Sequence, residues 1–306
     1  MYPGLWRHLR HQLTINYYLL SLILKLFALI GHPLGHSFSQ AYFTKKFARE
    51  KIDACYENFD IEGPLEIHQL MDKHPDLKGF NVTIPYKEAI IPHLDEIDAT
   101  AKEVGAVNTV KALANGRLIG YNTDVIGIET TLFETEATLS SLRGPRAQRG
   151  GTKQSTCRRT SNYRRTCGLP RSLTLARNDG GVNVLLLGTG GASKAVQYVL
   201  KKHNLPYHLV SRNPEKGHFT YETLTPEVIK EHLLIINTTP LGMAPNIDEA
   251  PIIPYEALTS EHVLFDLIYN PEETLFLKRG KERNAQTING LSMLYAQAEA
   301  AWNIWN

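Results

Sequence analysis

A glycine-rich turn limits what this 306-residue chain can fold into more than any other feature of its sequence. Residues 185–196 read LLLGTGGASKAV, so Gly188, Gly190 and Gly191 stand between a short apolar run and a stretch with helical periodicity. Glycines allow a tight turn and a close backbone approach, and the N-terminus of the following helix offers its first N–H groups to a phosphate. A strand, a glycine turn and a helix in this order predict a dinucleotide site in a doubly wound α/β domain. Ser193 stands where the usual pattern has a third glycine.

The strand expected after this helix ends in the segment SRNPEK, which bears on the choice of dinucleotide. An NAD site often has an acidic residue here to bind the ribose 2′-hydroxyl, whereas this chain has Arg212 and Lys216. Two cations suit a 2′-phosphate, and an arginine can bind a phosphate through two hydrogen bonds. The segment therefore favours NADP, and the alternative interpretation is two solvated surface cations.

Apolar periodicity divides the rest of the chain into alternating strands and helices. In the first half we expect three strands, two helices and a hairpin around Asn115 and Gly116. These elements are expected at residues 26–30, 37–50, 55–59, 65–71, 80–84, 110–114 and 118–121. In the second half we expect strands at residues 184–187, 207–210, 233–236 and 263–265, and helices at 192–203 and 291–305. This alternation predicts an α/β fold with parallel sheets.

Several short segments of the first half gather polar side chains near predicted strand ends. PLGHSFS contains Ser37 and Ser39, NVTIPYK contains Asn81, Thr83 and Lys87, and GAVNTV and GYNTD contain Asn108 and Asp124. Taken alone, each has a structural explanation, since serines cap helices, asparagines favour turns and most lysines lie on the surface. Together they offer a polyhydroxylated ligand hydroxyl and amide partners and one Lys–Asp pair.

The same segments resemble motifs of the shikimate dehydrogenase family. HSFSQ is similar to that family's HSxSP motif with Gln40 in place of the proline, NVTIPYK resembles NVTxPxK, and GAVNT and NTD match outright. GTGGAS resembles GAGGAS, SRNPEK resembles an NRT-type cofactor loop, and NTTPLGM and NGLSMLYAQA also have counterparts. The resemblance covers residues 26–133 and 182–305, and the motifs follow one another in the family's order.

The resemblance implies an N-terminal α/β substrate domain at residues 26–133 and a Rossmann-like, doubly wound NADP-binding domain at residues 182–289. It also implies a C-terminal helix, residues 290–306, that returns to pack on the substrate domain. The catalytic pair that it implies is Lys87 and Asp124. The implied substrate contacts are Ser37, Ser39, Thr83, Asn108, Tyr269 and Gln297. The implied cofactor contacts are Gly188, Thr189, Gly190, Gly191, Ala192, Ser193, Ser211, Arg212, Asn213, Lys216, Thr238, Leu267 and Gly290.

The activity that the resemblance implies is the reversible, NADPH-dependent reduction of 3-dehydroshikimate to shikimate in chorismate and aromatic amino-acid biosynthesis. Lys87 as an ammonium would stabilise the charge on the carbonyl oxygen, and the proton could come from Lys87 or from Asp124. Two alternatives stay open: an NAD-preferring quinate/shikimate dehydrogenase, and a non-catalytic NADP(H)-binding regulator. Arg212 argues against the first, and the presence of both Lys87 and Asp124 argues against the second.

Composition bears on partners and location. Outside residues 134–181 the chain has a net charge of −5, which argues against a nucleic-acid partner. Only Cys55 lies outside that stretch, so we expect no disulfide framework and a cytoplasmic protein. We expect a small-molecule substrate, no bound metal, no membrane association, and a monomer or homodimer. Residues 1–25 contain an apolar run far shorter than the ~20 residues of a membrane span. The run resembles a short signal peptide but lacks a small-residue cleavage site, so we interpret residues 1–25 as an upstream extension.

Residues 134–181 differ in composition from both predicted domains. They carry ten Lys/Arg against three Asp/Glu, with few apolar residues and no strand or helix period. Such a segment cannot bury enough apolar surface to offset its ordering entropy, so we expect a disordered, arginine-rich insertion between the domains. We interpret the segment as a translated frameshift or a mispredicted stretch of the gene. The alternative interpretation is a basic segment that binds RNA.

Replacing residues 136–178 by a short Gly/Ser linker should preserve or raise activity, and added protease should cut first within this segment. A long loop is tolerated because each doubling of its length costs only about 0.6 kcal/mol of closure entropy. Limited proteolysis with mass spectrometry, and an activity assay of the linker variant, test the prediction. Slow cleavage, or a linker variant that fails to fold, would make the segment a structural part of the protein.

Overall fold

The computed structural model describes residues 24–34, 37–133 and 183–306. The predicted extension up to residue 23 and the predicted insertion at 134–181 lie outside the described residues, as do Gly35, His36 and Val182. The described residues form two compact units, the first reaching to Asn122 and including Ala301–Asn306, the second running from Thr123 to Ala300. In the described part of the chain, no helix combines the length and the apolar character that a membrane span requires.

The first unit is built on a mixed, six-stranded sheet. Its strands are β1 (Lys25–Gly31), β2 (Ala54–Asp60), β3 (Leu77–Val82), β4 (Glu96–Ile97), β5 (Thr109–Ala112) and β6 (Leu118–Tyr121). Its helices are α1 (Phe38–Glu50), α2 (Glu66–Lys73), α3 (Tyr86–Ala89) and α4 (Ala99–Val104), with a 3-10 turn at Ile91–His93. The strand order is β2-β1-β3-β5-β6-β4. The hairpin strands β5 and β6 pair antiparallel, as do β3 and β5, so the sheet is mixed rather than parallel as expected.

Strand β1 lies inside the sheet, which explains its almost continuous apolar sequence. Six of its seven residues are buried, and it pairs in parallel with β2 on one side and β3 on the other. Leu26, Ala28 and Ile30 join Phe80 and Val82 in the core on one face of the sheet. A strand covered on both faces needs no alternation of apolar and polar residues.

Aromatic rings cover the opposite face of β1. Phe27 stacks on Trp305 with ring centroids 5.0 Å apart, and it meets Trp302 edge-on at 5.5 Å. Phe43 of α1 contacts Trp305 as well, at 5.4 Å. The Trp305 indole N–H donates to the Val110 carbonyl at 2.9 Å, which satisfies its polar atom. The end of the C-terminal helix is therefore part of the first unit.

The second unit contains a parallel, five-stranded sheet. Its elements begin with α5 (Asp124–Phe133), β7 (Val184–Leu187), α6 (Gly191–Lys202), β8 (Tyr207–Val210), α7 (Pro226–Glu231) and β9 (Leu234–Asn237). They continue with β10 (Val263–Asp266), α8 (Leu275–Glu282), β11 (Gln286–Ile288) and α9 (Leu291–Trp305). Three 3-10 turns lie at Pro214–Lys216, Tyr221–Thr223 and Tyr255–Ala257. The order β11-β10-β9-β7-β8 is that of a doubly wound sheet, which confirms the predicted α/β fold class.

Strand β3 departs from its predicted bounds. It ends at Val82, whereas the alternation of Phe80, Val82 and Ile84 predicts a strand that continues to residue 84. The Tyr86 N–H bonds to the Thr83 carbonyl at 2.9 Å and turns the chain out of the sheet. Ile84 is consequently 60% exposed and is not part of the core, although the alternation predicts that it is.

Candidate active site

The cofactor residues predicted from the sequence all follow carboxyl ends of strands in the second unit. Residues 188–193 follow β7; Ser211, Arg212, Asn213 and Lys216 follow β8; Thr238, Leu267 and Gly290 follow β9, β10 and β11. Because these strands are parallel, their carboxyl ends meet at one edge of the sheet. The order reverses at β7, and ligands of doubly wound sheets bind at the carboxyl edge beside such a reversal.

The turn after β7 has the shape that a phosphate site needs. Gly188 has a φ of 104°, which favours glycine, and a Cβ there would lie 2.8 Å from Thr238 Oγ1. The buried Ser193, in place of a third glycine, donates its hydroxyl to the Gly188 carbonyl at 2.7 Å. Helix α6 begins at Gly191, and its N-cap Gly190 supplies no side-chain cap. The first turn of α6 therefore directs N–H groups at this edge without a capping side chain.

The loop after β8 presents two cations. Ser211 Oγ accepts the Asn213 N–H at 3.1 Å, and the Asn213 side chain caps the 3-10 turn Pro214–Lys216. This folding leaves Arg212 and Lys216 exposed at the carboxyl end of β8. Within the described residues, neither cation takes part in an ion pair. The loop thus offers two unneutralised charges where a 2′-phosphate is expected.

Leu267 and Gly290, the last two predicted cofactor positions, lie against each other. A Cβ on Gly290 would collide with the carbonyl oxygen of Leu267, so only glycine fits this approach. The Gly290 N–H also donates to the Ile268 carbonyl at 3.0 Å. The loops after β10 and β11 therefore hold each other in place at the cofactor edge.

The predicted substrate residues of the first unit also gather at one edge of their sheet. Ser37 follows β1 and caps α1, its Oγ accepting the Gln40 N–H at 3.1 Å. Thr83 follows β3, and its N–H donates to the Ile30 carbonyl at 2.9 Å. Asn108 precedes β5, which runs antiparallel to β3, so Asn108 lies at the edge where β1 and β3 end.

Backbone hydrogen bonds hold Lys87 beside the segment of Asn108. Lys87 lies in α3, two residues after Pro85, and its carbonyl accepts the Val107 N–H at 2.7 Å. The Asn108 carbonyl accepts the Val82 N–H at 2.8 Å. Asn108 is buried and Lys87 is half-buried. Two predicted site residues thus share one corner of the first unit.

The remaining predicted residues lie in the second unit. Asp124 begins α5 and is buried, so the structure places Asp124 in the second unit and Lys87 in the first. Thr123, directly before Asp124, donates its hydroxyl to Gln297 Oε1 at 3.4 Å. Helices α5 and α9 approach closely at Gly127, where a Cβ would lie 2.6 Å from a backbone oxygen of α9. Thr123 therefore links the predicted catalytic residue Asp124 to the predicted substrate contact Gln297.

Comparison with known proteins decides the family. Residues 29–110 match the family model described as the shikimate dehydrogenase substrate binding domain. A shikimate dehydrogenase (NADP+) of Methanococcus maripaludis strain C6 is 37% identical over an alignment of 296 positions that covers 92% of this chain and 91% of the relative. The chain belongs to the shikimate dehydrogenase family.

Solved structures of shikimate dehydrogenases agree with this assignment. A crystal structure of a shikimate dehydrogenase in complex with NADP+ is 32% identical, with a TM-score of 0.67 and coverage of 92% of this chain and 90% of that one. The shikimate 5-dehydrogenase of Thermus thermophilus, in complex with NADP(H) and shikimate, is 26% identical with a TM-score of 0.68. The alignment covers 92% of this chain and 94% of the Thermus chain.

Sequence reasoning missed Asp266, which organises the loop after β10. Its carboxylate accepts from Asn237 Nδ2 at 3.1 Å, from the Ile268 N–H at 3.1 Å and from the Thr274 hydroxyl at 2.6 Å. The loop it holds also carries Tyr269, a predicted substrate contact. Burial raises the pKa of Asp266 to about 6, although its hydrogen bonds act in the opposite direction. An acidic residue that closes an apolar strand, as in VLFD, is the signal that could have identified it.

The Asp266→Asn variant should gain stability relative to the wild type as the pH rises. Asp266 has a folded-state pKa above its ordinary value of 3.8. Its contribution to the stability of the folded protein is therefore present at low pH and is lost as the pH rises through about 6. Over the full titration, the difference in unfolding free energy between the two proteins should change by about 3 kcal/mol, and roughly half of this change should fall between pH 5 and pH 8. Urea unfolding of both proteins at these two pH values measures it. A difference in unfolding free energy that is independent of pH would contradict the titration of Asp266 in this range.

Proposed function

We propose that this chain catalyses the reversible, NADP-dependent interconversion of shikimate and 3-dehydroshikimate in chorismate and aromatic amino-acid biosynthesis. One observation carries the proposal: a dinucleotide edge and a hydroxyl-binding edge occur on a single chain that aligns with a shikimate dehydrogenase along 92% of its length. The proposed domains are a substrate domain at residues 26–133 and an NADP-binding domain at residues 182–289.

The second unit fits NADP chemically. The turn at Gly188 and the first turn of α6 offer backbone N–H groups to the pyrophosphate. Arg212 and Lys216 offer positive charge to the 2′-phosphate. Thr238 and Gly290 line the same edge beside these groups. When bound, NADPH supplies the hydride that reduces the ring ketone, and the protein supplies binding, orientation and the proton.

Lys87 and Asp124 are the proposed catalytic pair. Reduction places negative charge on the carbonyl oxygen, and the Lys87 ammonium can stabilise that charge and donate a proton to it. The Asp124 carboxylate can accept a hydrogen bond from a substrate hydroxyl and orient the ammonium. The proton is supplied by one of these two groups. The proposed substrate contacts are Ser37, Ser39, Thr83, Asn108, Tyr269 and Gln297.

One assay tests the proposal and both alternatives. Purified full-length protein is mixed with shikimate or quinate and with NADP or NAD, and the reduction of each cofactor is followed. We expect the highest kcat/KM with shikimate and NADP. A preference for NAD and quinate would indicate the quinate/shikimate dehydrogenase instead. Binding of NADP without turnover of either substrate would indicate the non-catalytic regulator, and the proposed activity would be wrong.

The location and the oligomeric state complete the proposal. The scarcity of cysteine outside residues 134–181 fits a reducing compartment, and we propose a cytoplasmic location. The oligomeric state is proposed to be a monomer or a homodimer, and light scattering coupled to size-exclusion chromatography measures it. A larger assembly would contradict this proposal.

A further inference from the structure

Five buried polar side chains of the first unit form a continuous series of hydrogen bonds, called here the buried network. Its members are Ser39 of α1, Tyr56 of β2, Asn81 of β3, Thr109 of β5, and Asn108. The bond between Tyr56 and Asn81 measures 2.8 Å, and the next two, Asn81 to Thr109 and Thr109 to Asn108, measure 3.1 Å each. Ser39 bonds to the Tyr56 hydroxyl. None of the five is more than 8% exposed, so these bonds are shielded from water.

One backbone carbonyl fixes the direction of every bond in the buried network. Asn81 Nδ2 lies 3.3 Å from the carbonyl oxygen of Asn108, which can only accept, so this end of the Asn81 amide is the donor. Asn81 Oδ1 therefore accepts from the Tyr56 O–H, and the Tyr56 oxygen accepts from the Ser39 hydroxyl. The other Asn81 N–H goes to Thr109 Oγ1, so the Thr109 proton goes to Asn108 Oδ1.

The buried network determines which end of the Asn108 amide donates. Because Thr109 donates to Asn108 Oδ1, the donor end is Nδ2, which matches a hydroxyl or carbonyl oxygen of a ligand. The two ends of an amide have nearly the same shape and differ in hydrogen bonding. By donating to Oδ1, the Thr109 hydroxyl favours the orientation in which Nδ2 is the donor end.

The other side of the network is held rigidly. The Tyr56 ring stacks on Phe43 with centroids 4.7 Å apart, and it contacts Trp305 at 6.4 Å. Burial raises the pKa of Tyr56, so the phenol keeps its proton and continues to donate to Asn81 across the physiological range. The Ser39 hydroxyl, which donates to this oxygen, is thereby directed at Tyr56.

We propose that Tyr56 and Thr109 are positioning residues for the substrate. Through Asn81 they fix the Ser39 hydroxyl and the Asn108 amide in the orientation that binds a hydroxylated substrate. The inference rests on the proposed function, because Ser39 and Asn108 are substrate contacts only within it. It predicts an effect on substrate binding and no comparable effect on cofactor binding or on the chemical step.

Steady-state kinetics of shikimate-dependent NADP reduction by the full-length protein test this with three variants. Thr109→Val keeps the shape but removes the hydroxyl, and should raise the KM for shikimate about tenfold. Thr109→Ser keeps the hydroxyl and should bring that KM to within about twofold of the wild type. Tyr56→Phe should raise it about threefold or more. In all three, kcat and the KM for NADP should stay within about twofold.

Two matched controls remove the same groups outside the buried network. Thr131 is buried and donates to the Gly127 carbonyl within α5 at 2.9 Å, so Thr131→Val deletes an equivalent hydroxyl. Tyr255 donates to the Pro251 carbonyl at 2.8 Å, so Tyr255→Phe deletes an equivalent phenol proton. Both controls should leave the KM for shikimate within about twofold of the wild type. Thermal unfolding of every variant reports whether it folds.

Several results would overturn the inference. One is a wild-type KM for shikimate in both Thr109→Val and Tyr56→Phe, and another is an equal loss in Thr109→Ser and Thr109→Val. Controls impaired as strongly as the network variants would overturn it as well, because the loss of any buried hydroxyl would then suffice. Should Thr109→Val not fold, a raised KM in Tyr56→Phe with a normal KM in Thr109→Ser supports the inference, and normal values in both reject it.

Failure of the proposed function would be seen separately. A wild type that shows no turnover of shikimate contradicts the activity, whatever the variants do. Calorimetric titration of the same proteins with shikimate then tests the buried network alone. Weaker binding by Thr109→Val than by Thr109→Ser would support the positioning role, and equal binding, or no binding by any of them, would reject it.

Discussion

Replacing Lys87 by alanine should lower the turnover number for shikimate by about 10²-fold or more, with a smaller change in KM. Charge develops on the carbonyl oxygen only as the reaction proceeds, so an ammonium placed there contributes more to the transition state than to substrate binding. Alanine at this position keeps the backbone carbonyl that accepts the Val107 N–H, so the fold of this corner should persist. Rates at saturating NADP and shikimate measure the effect.

Lys102→Ala is the matched control for Lys87→Ala. Lys102 is an exposed lysine of α4 in the same unit, and its loss should leave turnover within about twofold of the wild type. Asp124→Asn keeps the shape of Asp124 and removes its charge, and the rate of the double variant compared with both single variants measures how far the two act as a pair. Near-normal turnover of Lys87→Ala would show that the proposed role of Lys87 is wrong.

Strands bounded by turn residues are the part of the fold that sequence patterns predict best. The predicted bounds of β7 agree with the structure, because a central parallel strand is apolar throughout and β7 ends at the turn residue Gly188. The predicted bounds of the edge strand β8 agree as well. Strands β4 and β11 have two and three residues, too few to show a period. They form only because β6 and β10 offer them partners, and such pairing is not encoded locally.

Some features of the candidate site lie within one short segment of the chain, whereas others join residues that are far apart in sequence. The glycine turn at 188–193 is predictable because one short segment contains the strand end, the turn and the helix start. Thr123 and Gln297 are 174 residues apart, and Asn237 and Asp266 are 29 apart, so their hydrogen bonds correspond to no pattern along the chain. Residue roles that depend on such distant pairs can be identified only from the three-dimensional structure.

The structure explains why Gln40 can replace the proline of the HSxSP motif. Its N–H donates to Ser37 Oγ at 3.1 Å, and its side-chain oxygen accepts from Asn58 Nδ2 at 3.2 Å. Asn58 Oδ1 in turn accepts from the Ser37 hydroxyl at 3.0 Å. A proline at position 40 has neither an N–H nor an amide, so it could make neither bond. In this chain a closed set of three hydrogen bonds therefore surrounds the Ser37 hydroxyl.

Replacing Arg212 by alanine should weaken the binding of NADP by about 10- to 150-fold, as expected for a charge-assisted hydrogen bond worth about 1.5–3 kcal/mol. The affinity for NAD should change little, because only NADP carries the 2′-phosphate. Arg212 is exposed at the carboxyl end of β8 and forms no ion pair within the described part of the chain, so no described carboxylate competes for it. KM values for both cofactors with saturating shikimate measure the effect.

Two variants separate selection of the phosphate from support of the loop. Arg283→Ala removes an exposed arginine beyond α8 and should leave the KM values for both cofactors unchanged. Arg212→Lys keeps the charge but lacks the planar fork, so its affinity for NADP should lie between those of the wild type and Arg212→Ala. Salt screens exposed charges, so rising ionic strength should reduce the preference for NADP more in the wild type than in Arg212→Ala. Equal losses for NADP and NAD in Arg212→Ala would mean that Arg212 supports the loop after β8, and Lys216 would then be the remaining cation of that loop able to select the 2′-phosphate.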